Sequence, residues 1–148
     1  MSDLRAALGS PDPPRLWPLL AAVFVGGALG ALSRSALSVV AQGAPWMTLI
    51  ENTLGAFLLA SLLGFSLRRR LPPWALAGLG TGALGSFTSM SAFVGDAAGL
   101  AQSPAWAVTY VLATLVFGLL AGHAGLRWSL PLEDRMLERA ISAPQEET

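Results

Sequence analysis

The chain has 148 residues, of which 53% are hydrophobic and 12% charged, and nine acidic residues balance nine basic ones. The charged share is about half that of a soluble domain, and mean hydropathy is +0.58, so both a water-soluble and a disordered chain are excluded. There is no cysteine and one histidine, His123, which removes disulfides, cysteine nucleophiles and thiolate or histidine metal sites, and no basic patch points to nucleic acid. An all-α integral membrane protein of one domain remains.

Residues 1–15 are mixed in charge and proline-rich, and read as a cytoplasmic tail rather than a signal peptide. Four apolar stretches then reach the roughly 20 residues that a bilayer core requires. They cover about 16–40, 46–67, 74–100 and 104–126, and together form one transmembrane unit, 16–126. The gaps are short and carry turn residues: Gln42-Gly43-Ala44-Pro45, then 68–73, then Ala101-Gln102-Ser103. Neighbouring helices are therefore expected to be antiparallel. Trp17, Trp46, Trp74 and Trp106 open the four spans and Trp128 follows the last, as indole rings favour the headgroup level. Residues 127–148 form a polar second tail, in which 132–141 could lie on the membrane surface as an amphipathic helix and the last residues read as disordered.

With four spans, both tails and the middle loop share one side. That side holds Arg5, Arg15, Arg68, Arg69, Arg70, Arg127, Arg135 and Arg139, whereas the two opposite loops hold no basic residue. Basic flanks stay in the cytoplasm, so both termini are expected inside the plasma membrane (the inner membrane of a double-membraned cell). The arginine triplet 68–70 carries most of this signal, with contact to anionic lipid as a secondary role.

Polar groups inside the spans cost free energy unless they are paired or line a pathway. In span three, Gly78, Gly80, Gly82 and Gly85 run into Ser86-Phe87-Thr88-Ser89-Met90-Ser91-Ala92-Phe93. The glycines weaken the helix by roughly 1 kcal/mol each relative to alanine, and the hydroxyls can satisfy backbone groups freed by a break. Span three is therefore read as interrupted near 85–88, a feature that commonly marks ion sites; the alternative is a continuous helix with a small-residue packing face. Gly26-Gly27-Ala28-Leu29-Gly30 in span one, and Gly118 with Gly122 in span four, predict close helix packing.

These residues resemble the Fluc (CrcB-type) fluoride channel family over all four spans. Residues 82–93, Gly-Ala-Leu-Gly-Ser-Phe-Thr-Ser-Met-Ser-Ala-Phe, are similar to that family's Gly-x-x-Gly-Gly-x-Thr-Thr-Phe-Ser-Thr-Phe. Asn52-Thr53-Leu54-Gly55-Ala56-Phe57-Leu58-Leu59 and the run from Gly26 to Arg34 are similar to two further family segments. The resemblance implies an antiparallel dimer of four-helix subunits with two narrow fluoride pores. It implies a central sodium ion held by backbone carbonyls, here those of Gly85 and Thr88. It implies Asn52 as a fluoride donor, Met90 and Phe93 at the positions of two pore-lining phenylalanines, Ser91 in a polar track, and Tyr110 as a fourth-helix tyrosine. The function implied is passive export of fluoride, which lowers its toxic cytoplasmic level.

Residue chemistry agrees with that implication. Fluoride is small and strongly hydrated, so a pore must offer firm donors, which the Asn52 amide and the Ser91 hydroxyl supply. A phenyl ring has a positive edge to face an anion. Met90 and Phe93 are three apart on one helix face. Met90, Ala92 and Ser86 depart from the family pattern, and Glu51 stands where an apolar residue is common. The one-sided charge favours pairing with a related subunit of opposite topology over a self-antiparallel homodimer. Two rivals remain: a proton-coupled drug exporter with Glu51 as its carboxylate, and a non-conducting partner subunit. Arg34 reads mainly as a structural group that caps a helix end or pairs with Glu51, and otherwise as an anion-attracting vestibule charge. Asp96 is expected to cap a helix end or face a vestibule, and His123 to bond at the interface. No constellation supports catalysis.

Overall fold

The computed structural model describes residues 16–130; the tail segments 1–15 and 131–148, including the amphipathic stretch expected at 132–141, lie outside the described residues. Five helical elements follow in chain order. They are α1 (Leu16–Val40), α2 (Pro45–Arg68), α3 (73–87), α4 (Met90–Gly99) and α5 (Pro104–Ser129). Proline stands in the first turn of α2, α3 and α5, where its missing N–H is one the helix could not pair anyway. The turn after α1 bends through Gln42 and Gly43, at φ 54° and 71°, and the Gly43 N–H closes it on the Ser38 carbonyl at 3.1 Å.

The distribution of side chains is inverted relative to a soluble protein. Large apolar residues such as Trp17, Phe24, Val39 and Leu119 are exposed, whereas the buried residues include Thr48, Glu51, Ser89, Tyr110, Thr114 and Ser129. Such a surface suits hydrocarbon and not water. Three helices, α1, α2 and α5, are long and apolar enough to cross a membrane. The predicted third span is divided between α3 and α4.

Two helix pairs build the bundle: α1 lies mainly on α3, and α2 mainly on α5. At the first crossing the backbones themselves touch. A Cβ on Gly26 would collide with the Gly78 carbonyl, and one on Gly30 with that of Ala83, so this separation requires glycine. The second pair also touches through backbone, where a Cβ on Gly125 would collide with the Phe57 carbonyl, and side chains join it further. Ser61 donates to the Gly125 carbonyl across the contact at 3.3 Å, and Phe57 stacks on Trp128 at 5.8 Å. Arg68 reaches the Ser129 carbonyl at 3.4 Å. These contacts explain why α5 runs to Ser129, three residues past the expected end, and why Trp128 belongs to the helix instead of following it. The other small-residue expectation is not met within this chain: a Cβ on Gly118 or Gly122 would meet nothing within 4 Å.

Candidate functional site

α3 is not a uniform helix. Its α-helical start, Pro73–Leu76, widens into a π-helix over Ala77–Leu84 and returns to one α-turn at Gly85–Phe87. Three glycines in the wide segment, Gly78, Gly80 and Gly82, are buried, and backbone freedom without a side chain suits a wider coil packed against a neighbour. The chain then leaves helical geometry at Thr88 (φ −78°, ψ 151°) and Ser89 (φ −143°, ψ 111°) before α4 begins. The interruption thus lies at Thr88–Ser89. Gly85, where it was expected to begin, is helical at φ −64° and ψ −31°.

One side chain holds this break. Asn52, on α2, accepts from the Ser89 N–H through Oδ1 at 2.9 Å and donates through Nδ2 to the Ser89 carbonyl at 3.3 Å. The amide oxygen therefore replaces the carbonyl that a continuous helix would have offered the Ser89 N–H, the amide N–H adds a second donor to a Ser89 carbonyl that also accepts from the Phe93 N–H at 3.2 Å, and the second amide N–H is left over. Ser89 caps α4 by accepting from the Ala92 N–H at 3.1 Å, as a serine at this position should. Its hydroxyl also lies 3.2 Å from that of Ser91. On the other side of the break, Thr88 keeps both its N–H and its hydroxyl on the Leu84 carbonyl, each at 3.1 Å.

This pairing has a consequence for two carbonyls. In an unbroken helix the Ser89 N–H would go to Gly85 and that of Ala92 to Thr88. Both are diverted, to Asn52 and to the Ser89 hydroxyl. Gly85 and Thr88 are thus two of the four carbonyls, 85 to 88, that the break leaves without a helical donor, and the two whose donors are used elsewhere. The threonine is also fixed from α2, because Gly55, one turn below Glu51, has no room for a Cβ against the Thr88 methyl.

α4 carries the remaining residues. Phe93 turns toward α5 and stacks on Tyr110, with ring centres 5.7 Å apart. Tyr110 is buried and donates to Asp96 Oδ2 at 3.2 Å. Met90 and Ser91 are exposed, Met90 at 71%. Within one chain, then, Phe93 meets α5 while Met90, three residues before it on α4, is exposed. Asn52, Ser89, Ser91, Phe93, Tyr110 and the carbonyls of Gly85 and Thr88 belong to one region around the break. The Ser89 cap and the Tyr110–Asp96 bond were not anticipated. A serine just before an expected helix start is the signal for the first; nothing in residue spacing signals the second.

Arg34 and Glu51 stand apart from the break's hydrogen bonds. Glu51 is the largest fully buried side chain. Its Oε1 has no hydrogen-bond partner, and neither do the buried Nε of Arg34 and the hydroxyl of Thr53. Among the described residues no group of three or more His, Cys, Asp or Glu side chains that could hold a metal ion occurs.

Comparison with known proteins gives one family and a consistent set of relatives. Residues 21–126 match the family described as CrcB-like protein, Camphor Resistance (CrcB). A fluoride-specific ion channel FluC 2 of Bacillus licheniformis is 43% identical over 108 residues, covering 71% of this chain and 82% of the relative. The protein of that name in Thermobifida fusca is 40% identical over 130 residues, covering 83% and 96%. A fluoride-specific ion channel FluC 1 of Mycobacterium tuberculosis is 39% identical over 115 residues, covering 70% and 84%.

Proposed function

The chain belongs to the CrcB-like family, and from that premise we propose that it is the subunit of a fluoride-specific channel through which fluoride leaves the cytoplasm passively. It is a multi-pass membrane protein. The observation that carries the reading is the Asn52 amide, seated on a broken membrane helix with one N–H unassigned. Fluoride gives up hydration only where strong donors replace it. That N–H and the exposed Ser91 hydroxyl are the donors at hand, and the Phe93 ring offers its positive edge. Conduction needs no covalent step, in keeping with a family of channels and not of enzymes.

In this reading two subunits assemble antiparallel. The exposed Met90 of one then contributes to a pathway completed by the other. The two released carbonyls suit a hard cation, since oxygen without a helical donor is the ligand type sodium takes. Gly85 and Thr88 would hold it. When bound, such an ion supplies a positive field beside an anion path. The one-sided arginines favour a cytoplasmic location of both tails and of the 68–72 loop in the plasma membrane. They also favour a related partner inserted the other way round over a second copy of this chain.

The test is fluoride efflux from liposomes, read with a fluoride electrode, with the purified chain alone and with a related neighbour. Fluoride flux without chloride flux is expected. Drug-dependent proton movement without fluoride flux would instead make it an exporter. Full flux by the lone chain, together with equal populations of both topologies in cells lacking relatives, would replace the mixed dimer with a homodimer. Restoring Phe at 90 and Thr at 92 should change flux if this chain's α4 lines a working pathway, and leave it unchanged if the chain is a silent partner.

A further inference from the structure

The glycine crossing of α1 with α3 leaves an apolar groove beside it. Ala22, Val25 and Gly26 of α1 and Trp74, Ala75 and Gly78 of α3 are among its lining residues, and it holds about 350 Å³. Gly26 and Gly78 bring the two backbones together, while Ala22 and Ala75 are too short to fill the space beside them. α1 and α3 run side by side in the same direction, since Gly26 meets Gly78 and Gly30 meets Ala83. The lining on α1 covers residues 22–29, about 10 Å at the helical rise, against about 15 Å of hydrocarbon in one leaflet. Its Trp74 end lies where α1 and α3 begin and α2 and α5 finish. Trp17, Trp74 and Trp128 are exposed at that end, which marks it as the headgroup level. The same end carries Arg68, Arg69 and Arg70, and no acidic residue occurs between Glu51 and Asp96. Two of the three are committed: Arg68 donates to the Ser129 carbonyl at 3.4 Å, and the Arg69 guanidinium lies over the Phe65 ring at 5.7 Å. Arg70 is exposed and makes no hydrogen bond or ion pair among the described residues. It stands four residues before Trp74, so at most about 14 Å of extended chain separates them.

We infer that this groove is a binding site for an anionic phospholipid, with one acyl chain between α1 and α3 and the phosphate met by Arg70. A guanidinium offers a phosphate paired, charge-assisted hydrogen bonds, and basic sites between membrane helices hold anionic headgroups. The groove itself offers a chain apolar contact along most of a leaflet. A zwitterionic lipid brings the same chain without net charge, so the headgroup is the selective element. A second copy packed antiparallel would bring the loops 41–44 and 100–103 to this level, and these carry no acidic residue to neutralise Arg70. A lipid held here would brace α1 on the π-helical segment that leads into the break. The inference needs only the placement of the chain in a membrane, and does not depend on which ion passes.

The test uses the full chain purified in detergent, with phosphatidylglycerol and phosphatidylcholine of identical acyl chains as probes and the melting temperature as readout. The concentration giving half of the maximal stabilisation should be about fivefold lower for phosphatidylglycerol, as expected for one arginine at the membrane surface. Arg70→Gln should remove that preference and leave the response to phosphatidylcholine as it was. Ala75→Leu fills the groove and keeps Arg70; it should weaken both lipids by at least about fourfold, the worth of one displaced methylene. An unchanged preference in Arg70→Gln overturns the proposal, and so does unchanged binding of both lipids in Ala75→Leu. Glycerol phosphate, a headgroup without chains, should not stabilise; an effect equal to that of phosphatidylglycerol would make this a free-anion site and overturn the proposal. Should Ala75→Leu not yield folded protein, acyl-brominated lipids in phosphatidylcholine vesicles decide. The quenching that Trp74→Phe removes should be larger with brominated phosphatidylglycerol than with brominated phosphatidylcholine, and equal quenching removes the site. If Ala75→Leu instead turns a dimer into a monomer by light scattering with the lipid preference intact, a second copy occupies the groove and the lipid assignment falls.

Discussion

The crossing of α1 with α3 and the junction of α2 with the α3–α4 break solve opposite problems. At the crossing, polar backbone is satisfied inside each helix, and the requirement is to bring two cylinders close; glycine does this by omission. At the junction the ladder is open, and the requirement is to pair exposed amides within hydrocarbon. There a side chain does it by substitution, with the Asn52 amide oxygen standing in for the missing helical acceptor of the Ser89 N–H. The first contact tolerates nothing larger than hydrogen, and the second tolerates nothing of different chemistry. Shape governs one region and hydrogen-bond complementarity the other.

The sharpest way to break this contrast is at Asn52. Asn52→Ala leaves the volume nearly empty and strips both bonds from Ser89, for a loss of about 2 kcal/mol. Fluoride flux should fall by more than about tenfold, with a lower melting temperature in detergent; Asn52→Asp, which keeps an acceptor but loses the donor, should keep part of the stability and none of the flux. Next comes Gly30→Ala, which must push α1 off the Ala83 carbonyl. A cost of about 1–3 kcal/mol is expected from overpacking, read as lost thermal stability, with conduction reduced in proportion to folded protein.

Smaller effects sharpen the contrast. Ser89→Ala removes the cap of α4 while the Asn52 bonds, which use Ser89 backbone, persist. About 1 kcal/mol should be lost, and flux should drop far less than in Asn52→Ala. Tyr110→Phe keeps the stack on Phe93 and removes the bond to Asp96; about 0.5–1.5 kcal/mol is expected. At the lower end, Gly122→Ala adds a methyl where nothing lies within 4 Å, and the purified chain should gain up to about 1 kcal/mol from helix propensity. A loss there would place that face against another subunit.

Much of the fold could be read from residue pattern because the bilayer imposes it. Span length, terminal tryptophans and turn residues are local, and α1 occupies the residues its apolar run predicts. The location of the break was harder to read. Glycines are the usual sign of an interruption, yet here they form the π-helical segment, and the extended residues are Thr88 and Ser89, whose hydroxyls cap the two ends. Asn52 stood out as polar, but its bond partner lies 37 residues away, beyond what spacing encodes. Gly118 and Gly122 show the converse case, with nothing of the same chain against them. A small-residue motif states that close approach is permitted, and does not say to what.

Chain order gives the Asn52–Ser89 contact a role in biogenesis. Neither α3 nor α4 is long enough to insert as a conventional span, yet α2 is made first. The carboxamide that receives Ser89 is therefore synthesised 37 residues ahead of its partner. The order of the segments along the polypeptide thus makes the partner of the discontinuous helix available before the discontinuity itself.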